Sequence, residues 1–151
     1  IIFSTHYLSQ SRQLADQTLL LQNGRLSKNL GENIFQARVV QRGEELKCLV
    51  DGHVFPFTDS QDMARENRVV RIHIDPQKLM LRSSDNRESA EQWISGKITS
   101  LSKENGKIRI SVDIGLKLQI LMGRDEFLEH PFQMLQQVEV GFDKQGVELL
   151  Q

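Results

Sequence analysis

The sequence has a single cysteine, Cys48. No disulfide can form within the chain, which fits a reducing compartment. It lacks any apolar run approaching the roughly 18 to 20 residues that cross a bilayer, and no basic segment leads into an apolar one as in a secretion signal. Neither sign of charge is in excess: 19 basic against 20 acidic residues leave a net charge of −1. That balance supplies no long-range pull toward nucleic acid or anionic lipid. Aromatics are few, one Trp, one Tyr and seven Phe, and they do not interleave with basic residues. Single-strand nucleic-acid binding is therefore not expected. No Cys and His stand at ligand spacing, so no metal site is expected. A GxxxxGK(S/T) loop is also missing, and without it nothing cradles nucleotide phosphates. What remains is 38% hydrophobic residues at a mean hydropathy of −0.40, enough for a core in one domain or two small ones.

The stretch 1–26, IIFSTHYLSQSRQLADQTLLLQNGRL, reads as strand, helix, strand. Ile1-Ile2-Phe3 is β-branched and aromatic, as a buried strand is. Tyr7 to Ala15 suits a short helix. Thr18 to Gln22 is a second strand, with Asn23-Gly24 turning into Arg25-Leu26. Such an α/β edge is too little to fold alone, because a parallel sheet needs both faces covered. A chain that opens directly on an apolar strand reads as a portion of something larger.

Residues 27–33 are polar and read as a linker. Beyond them the period becomes two. Phe35, Ala37 and Val39 alternate with Gln36 and Arg38, and Leu46, Cys48 and Val50 repeat the pattern. Asp51-Gly52 signals a hairpin into His53–Phe57. Arg68–Ile74 and Lys78–Leu81 complete a first β-segment over 34–82, with Pro76 between its last two strands. Residues 82–92 are charged and serine-rich, a second linker. A second β-segment, 89–151, holds strands at Trp93–Leu101, Ile108–Asp113, Leu116–Met122, Val138–Phe142 and Val147–Leu150. A short helix at Arg124–Glu129 is stopped by Pro131. Short strands at this spacing, twice over, predict two small β-barrels or one joined β-domain. The fold class expected is mainly β, with an incomplete strand-helix-strand piece in front. Cys48 is a core position, Trp93 a barrel-packing or subunit-contact residue, and His53, His73 and His130 fall on separate strands or loops.

Phe3-Ser4-Thr5-His6, then Leu14-Ala15-Asp16, then the strand Thr18 to Gln22 with Asn23-Gly24-Arg25, form an ordered set. It resembles the tail of an ABC-transporter ATPase domain. The resemblance implies that His6 is the switch histidine, which in that family hydrogen-bonds the ATP γ-phosphate and helps position the attacking water. An imidazole suits that place because it donates to an anionic oxygen without a fixed full charge. ATP and magnesium would then be cofactors of an intact parent; these residues alone would bind neither and are not catalytic. Gln10, Arg12 and Leu14-Ala15-Asp16 lean toward the molybdate and tungstate branch.

The remainder resembles the TOBE or MOP-like oligonucleotide-binding (OB) barrels that follow the catalytic domain in importer ATPases. Ile74-Asp75-Pro76-Gln77-Lys78-Leu79-Met80-Leu81 is similar to the family's Ile-Arg-Pro-Glu-Asp-Ile-x-Leu strand pair. Ser89-Ala90-Glu91-Gln92-Trp93-Ile94-Ser95-Gly96 is similar to the Ser-Ala-Arg-Asn-x-Leu-x-Gly opening of a molybdate-type barrel. Such barrels hold oxyanions with hydroxyls, amides and a lysine. Here Glu91 and Gln92 replace arginine and asparagine, Met122 stands for a threonine, Asp125 lies near a usual serine, and Asp143 replaces the lysine, with Lys144 adjacent. Ser83, Ser84 and Ser89 remain as candidate oxyanion donors. A carboxylate repels each unit of anion charge by about 1 kcal/mol at about 4 Å in water.

The resemblance implies a regulatory and dimerising region of an importer's ATP-hydrolysing subunit. Its partners would be a second copy, the membrane permease and a possible oxyanion, and its place the cytoplasmic face of the membrane. An oxyanion-sensing module and a purely structural dimerisation domain are the alternatives.

Overall fold

The computed structural model describes residues 1–7, 10–11, 14–15, 19–22, 24–27, 31–57, 66–84 and 93–150. Ile1, Ile2 and Phe3 are exposed and belong to no strand, rather than forming a buried one. An apolar strand gains burial only from sheet neighbours, and no described residue pairs with them. A helical turn follows, with the Ser11 N–H donating to the Tyr7 carbonyl (3.1 Å) and Ala15 to Ser11 (2.9 Å). The strand expected at Thr18 to Gln22 is described over β1 (Leu20–Gln22), which pairs antiparallel with β2 (Arg25–Ser27). The piece is thus a local hairpin.

Among the described residues, ten further strands form two antiparallel five-stranded sheets. They are β3 (Ile34–Arg42), β4 (Glu45–Val50), β5 (His53–Phe55), β6 (Val69–Ile74), β7 (Met80–Ser83), β8 (Trp93–Glu104), β9 (Lys107–Asp113), β10 (Lys117–Gly123), β11 (Gln137–Gly141) and β12 (Val147–Leu150). Asp51-Gly52 and Asn105-Gly106 both hold positive φ at their paired central positions (45° and 85°; 46° and 73°). That is the type I′ geometry matching the twist of a tight hairpin. The helix α1 (Arg124–Glu129) lies where expected, with no buried residue.

The first sheet runs β12-β6-β3-β4-β5 and the second β10-β9-β8-β11-β7. The segments 34–82 and 89–151 therefore exchange strands. β7 leaves the first to pair with β11, and β12 leaves the second to pair with β6. Each sheet is completed by the other half of the sequence, which interlocks them. One continuous core results, including Val39, Phe55 and Ile72 from the first sheet and Ile98, Ile110, Leu118 and Val140 from the second. Phe55 of β5 meets Phe142, just after β11, with ring centroids 4.7 Å apart.

Gly96 on β8 is required by a close approach. A Cβ there would lie 2.7 Å from Ile114 Cγ2 and 2.8 Å from the Asp113 carbonyl, where the β9–β10 turn folds over. This gives the final glycine of the Ser89–Gly96 motif a packing reason.

The segment 27–33 reads from its sequence as a polar linker. Its end is buried: Asn33 is 6% exposed and the Glu32 side chain 7%. Both are anchors between the sheets, described below.

Cys48 is fully buried, and burial pushes its thiol up to about 12. Since only the thiolate attacks, the folded protein is expected to leave an aromatic disulfide reagent unreacted at about pH 8. One thiol per chain should titrate once denaturant unfolds it. Rapid reaction without denaturant would contradict this packing.

Candidate functional site

A cleft of about 440 Å³ opens where the β6–β7 turn, the end of β10, α1 and the loop after β11 meet. Leu79, Leu121 and Met122 supply apolar lining, while Lys78, Glu126 and Asp143 supply charge. The local sequence explains the geometry. Asp75 Oδ1 accepts the Gln77 N–H (2.9 Å), which turns the chain at Pro76. Asp143 Oδ1 accepts the Gln145 N–H (2.9 Å) and so caps the 3₁₀ turn Lys144–Gly146. The Asp75 N–H then reaches the Gly146 carbonyl (2.8 Å), and Lys78 Nζ donates to the Gln145 carbonyl (3.3 Å). The two loops are tied together along one wall.

Met122 and Asp143, picked out separately in the sequence as replacements of a threonine and a lysine, face this one cleft. Glu126, which the sequence did not single out, adds a second carboxylate. One lysine against two carboxylates, with methionine in place of a hydroxyl, makes a poor seat for a dianion. Asp125 is exposed in the first turn of α1 and does not line the cleft.

Of the candidate oxyanion serines, Ser83 and Ser84 are not among the described residues that line the cleft. Ser83 ends β7 opposite Val138, half-buried, and the Ser84 hydroxyl donates to the Gln137 carbonyl (3.3 Å). Ser89, like Glu91 and Gln92, lies outside the described residues. Beside Ser83, Arg82 forms a 2.7 Å ion pair with Glu139 and lies 4.1 Å from the centroid of the Trp93 ring. Trp93 thereby covers Gly141. His6 is exposed at a bend before the helical turn.

His53, His73 and His130 lie apart, on β5, on β6 and after α1. Among the described residues no three His, Cys, Asp or Glu side chains cluster as metal ligands. Burial lowers the proton affinity of His73, and the charges of Asp75, Glu148 and Glu32 oppose that without cancelling it. The folded imidazole therefore stays neutral where the unfolded one protonates, near pH 6.5. Its contribution to stability is complete above that value and is lost as pH falls below it toward the folded value. Thermal melts should show the midpoint falling as pH drops below about 6.5. The fall should be smaller in His73→Gln; an equal fall in both would show that His73 is not the group responsible.

Sequence reasoning missed the polar anchors. Asn33 Nδ2 donates to the carbonyls of Ile74 on β6 (3.1 Å) and Gln119 on β10 (2.8 Å), while its Oδ1 accepts the Gln119 N–H (2.7 Å). Arg109 of β9 forks onto Glu104 and also donates to Glu32. Burial alone would lower the Arg109 pKa, but the hydrogen bonds and charges of Glu104 and Glu32 raise it.

A scan against family models and a search of curated proteins each return no match. Among solved structures, the fold is similar to that of the cytoplasmic molybdate-binding protein ModG, crystallised with molybdate bound. The TM-score is 0.67, with 82% of this chain and 98% of that chain covered at 11% identity. At that identity the likeness is one of fold. It agrees with a mainly β architecture of paired OB-like units.

Proposed function

We propose that this chain is the C-terminal regulatory and dimer-forming β-domain of the ATP-hydrolysing subunit of an importer of the molybdate or tungstate type. The supporting observation is the order of parts. A pair of interlocked OB-like sheets follows a segment carrying Ser4-Thr5-His6, Leu14-Ala15-Asp16 and Asn23-Gly24-Arg25. In this reading His6 acts as a switch histidine in the assembled ATPase. ATP and magnesium are held by residues outside these 151, and the partners are a second copy and the permease on the cytoplasmic face. The coding sequence just upstream should encode an apolar strand ending in Asp-Glu and, farther upstream, a GxxxxGK(S/T) loop. Their absence would overturn the assignment. A chain that stays monomeric in sedimentation at high concentration would remove the dimer role.

A second reading, oxyanion sensing, is favoured by the fold likeness to a molybdate-binding protein and by the hydroxyls of Ser83 and Ser84. The cleft opposes it through Glu126 and Asp143. Calorimetric titration of molybdate, tungstate and sulfate should show binding no tighter than about 1 mM. Asp143→Lys combined with Met122→Thr exchanges repulsion for attraction at one wall and should tighten molybdate by at least about tenfold. Micromolar binding to the unaltered chain would establish the sensor reading instead.

A further inference from the structure

β10 is the outer strand of the second sheet, so alternate backbone groups point away from β9 with no strand to receive them. At Gln119 and Leu121 three of these groups are nevertheless filled. Asn33 brackets Gln119, accepting its N–H (2.7 Å) and donating to its carbonyl (2.8 Å). The Leu121 N–H donates to the Pro76 carbonyl (2.9 Å). Arg109 holds Glu32, next to Asn33, on the adjoining strand β9. A short strap, Gly31 to Asn33, together with the turn at Pro76, thus occupies the hydrogen-bonding edge of β10 without being a strand.

The covered edge is one that would otherwise pair. Leu118-Gln119-Ile120-Leu121-Met122-Gly123 has no charge and no proline and is mostly apolar, so none of the usual devices blunts this edge. Two copies of β10 laid antiparallel about Ile120 would match Gln119 with Leu121, whose N–H exchanges the Pro76 carbonyl for the Gln119 carbonyl of the second copy. The same register sets Lys117 opposite Gly123, so like charges do not meet.

We propose that the Glu32–Asn33 strap is a guard on the β10 edge, and that its release lets β10 pair with β10 of a second copy. The proposal does not rest on the importer reading. Asn33→Gly removes the side chain and tolerates the φ of 48° at this position. Sedimentation at several concentrations should show Asn33→Gly forming, reversibly, a species of twice the mass of the unaltered protein, whatever that protein's own state. Adding Gln119→Pro, which removes the outward N–H at an edge position, should abolish it. A folded Asn33→Gly protein that keeps the original mass at every concentration would overturn the proposal. So would a doubled species that survives Gln119→Pro. Amide exchange on the unaltered chain gives a test independent of either variant. Gln119 and Leu121 should exchange as slowly as interior strand amides, and fast exchange at both would show that the edge is open.

Discussion

Replacing Arg109 by alanine is expected to lower the unfolding free energy by about 3–5 kcal/mol, read from denaturant midpoints with an unchanged slope. The guanidinium serves two carboxylates, with the arginine, Glu32 and Glu104 side chains only 9%, 7% and 15% exposed. Water screens little of that site, so removing the cation takes a shared partner from two buried charges. The cost arises from those carboxylates rather than from the lost attraction itself. A buried ion cluster roughly breaks even against well-packed apolar side chains, because desolvation offsets most of the Coulomb gain. Arg109→Met should therefore be almost as damaging as Arg109→Ala. Combining Arg109→Met with Glu32→Leu and Glu104→Leu should recover most of the loss. If Arg109→Met alone costs less than about 1 kcal/mol, the site is wetter than its burial implies.

This triad marks where the sequence stops being legible. Local signals translated well. Asp51-Gly52 and Asn105-Gly106 turned as their residues require, Val147–Leu150 formed a strand with those bounds, and Arg124–Glu129 formed the short helix before Pro131. Alternation of Ala37 and Val39 with their polar neighbours gave the buried face. Alternation says which face is buried, not which strand lies alongside. The exchange of β7 and β12 between the sheets was therefore invisible. Ile1-Ile2-Phe3 misled for a related reason, since β-propensity reports fitness for a sheet and cannot supply the sheet. Glu32 and Asn33 read as linker because they are polar beside Gly31. Their partners Arg109 and Gln119 stand 77 and 86 positions away, beyond any window of local pattern.

The cleft was half legible. Met122 and Asp143 drew attention as departures from a resembled pattern, and the structure gathers both onto one surface. Glu126 and Lys78 carried no such mark. An acidic residue in a first helical turn has an ordinary explanation in the helix dipole, and a lysine in a turn has one in solvation. Only the fold makes them neighbours. Their joint effect, one cation against two carboxylates, makes this cleft less suited to a dianion than any single substitution would.

Asn33→Gly should cost about 2–4 kcal/mol, a large effect for a residue on the border of a polar linker. Its φ of 48° lies in the left-handed region, where asparagine and glycine are both at ease, so the change adds no backbone strain. What it removes is one acceptor and two donor contacts, leaving the Gln119 N–H and the Ile74 and Gln119 carbonyls short of partners. Each buried group left unpaired costs about 1–3 kcal/mol, tempered where water can enter along the strap. Asn33→Ala should lose roughly another 1 kcal/mol, because alanine is poorly placed at positive φ. The order Asn, Gly, Ala in decreasing stability separates hydrogen bonding from backbone strain. Helix propensity would rank alanine above glycine, so an inverted order would show that residue 33 does not hold the conformation on which the clamp depends. Ile74 belongs to the first sheet and Gln119 to the second. Hydrogen exchange should therefore quicken at β6 and β10 together in Asn33→Gly, whereas quickening at β10 alone would mean the residue caps an edge without joining the sheets.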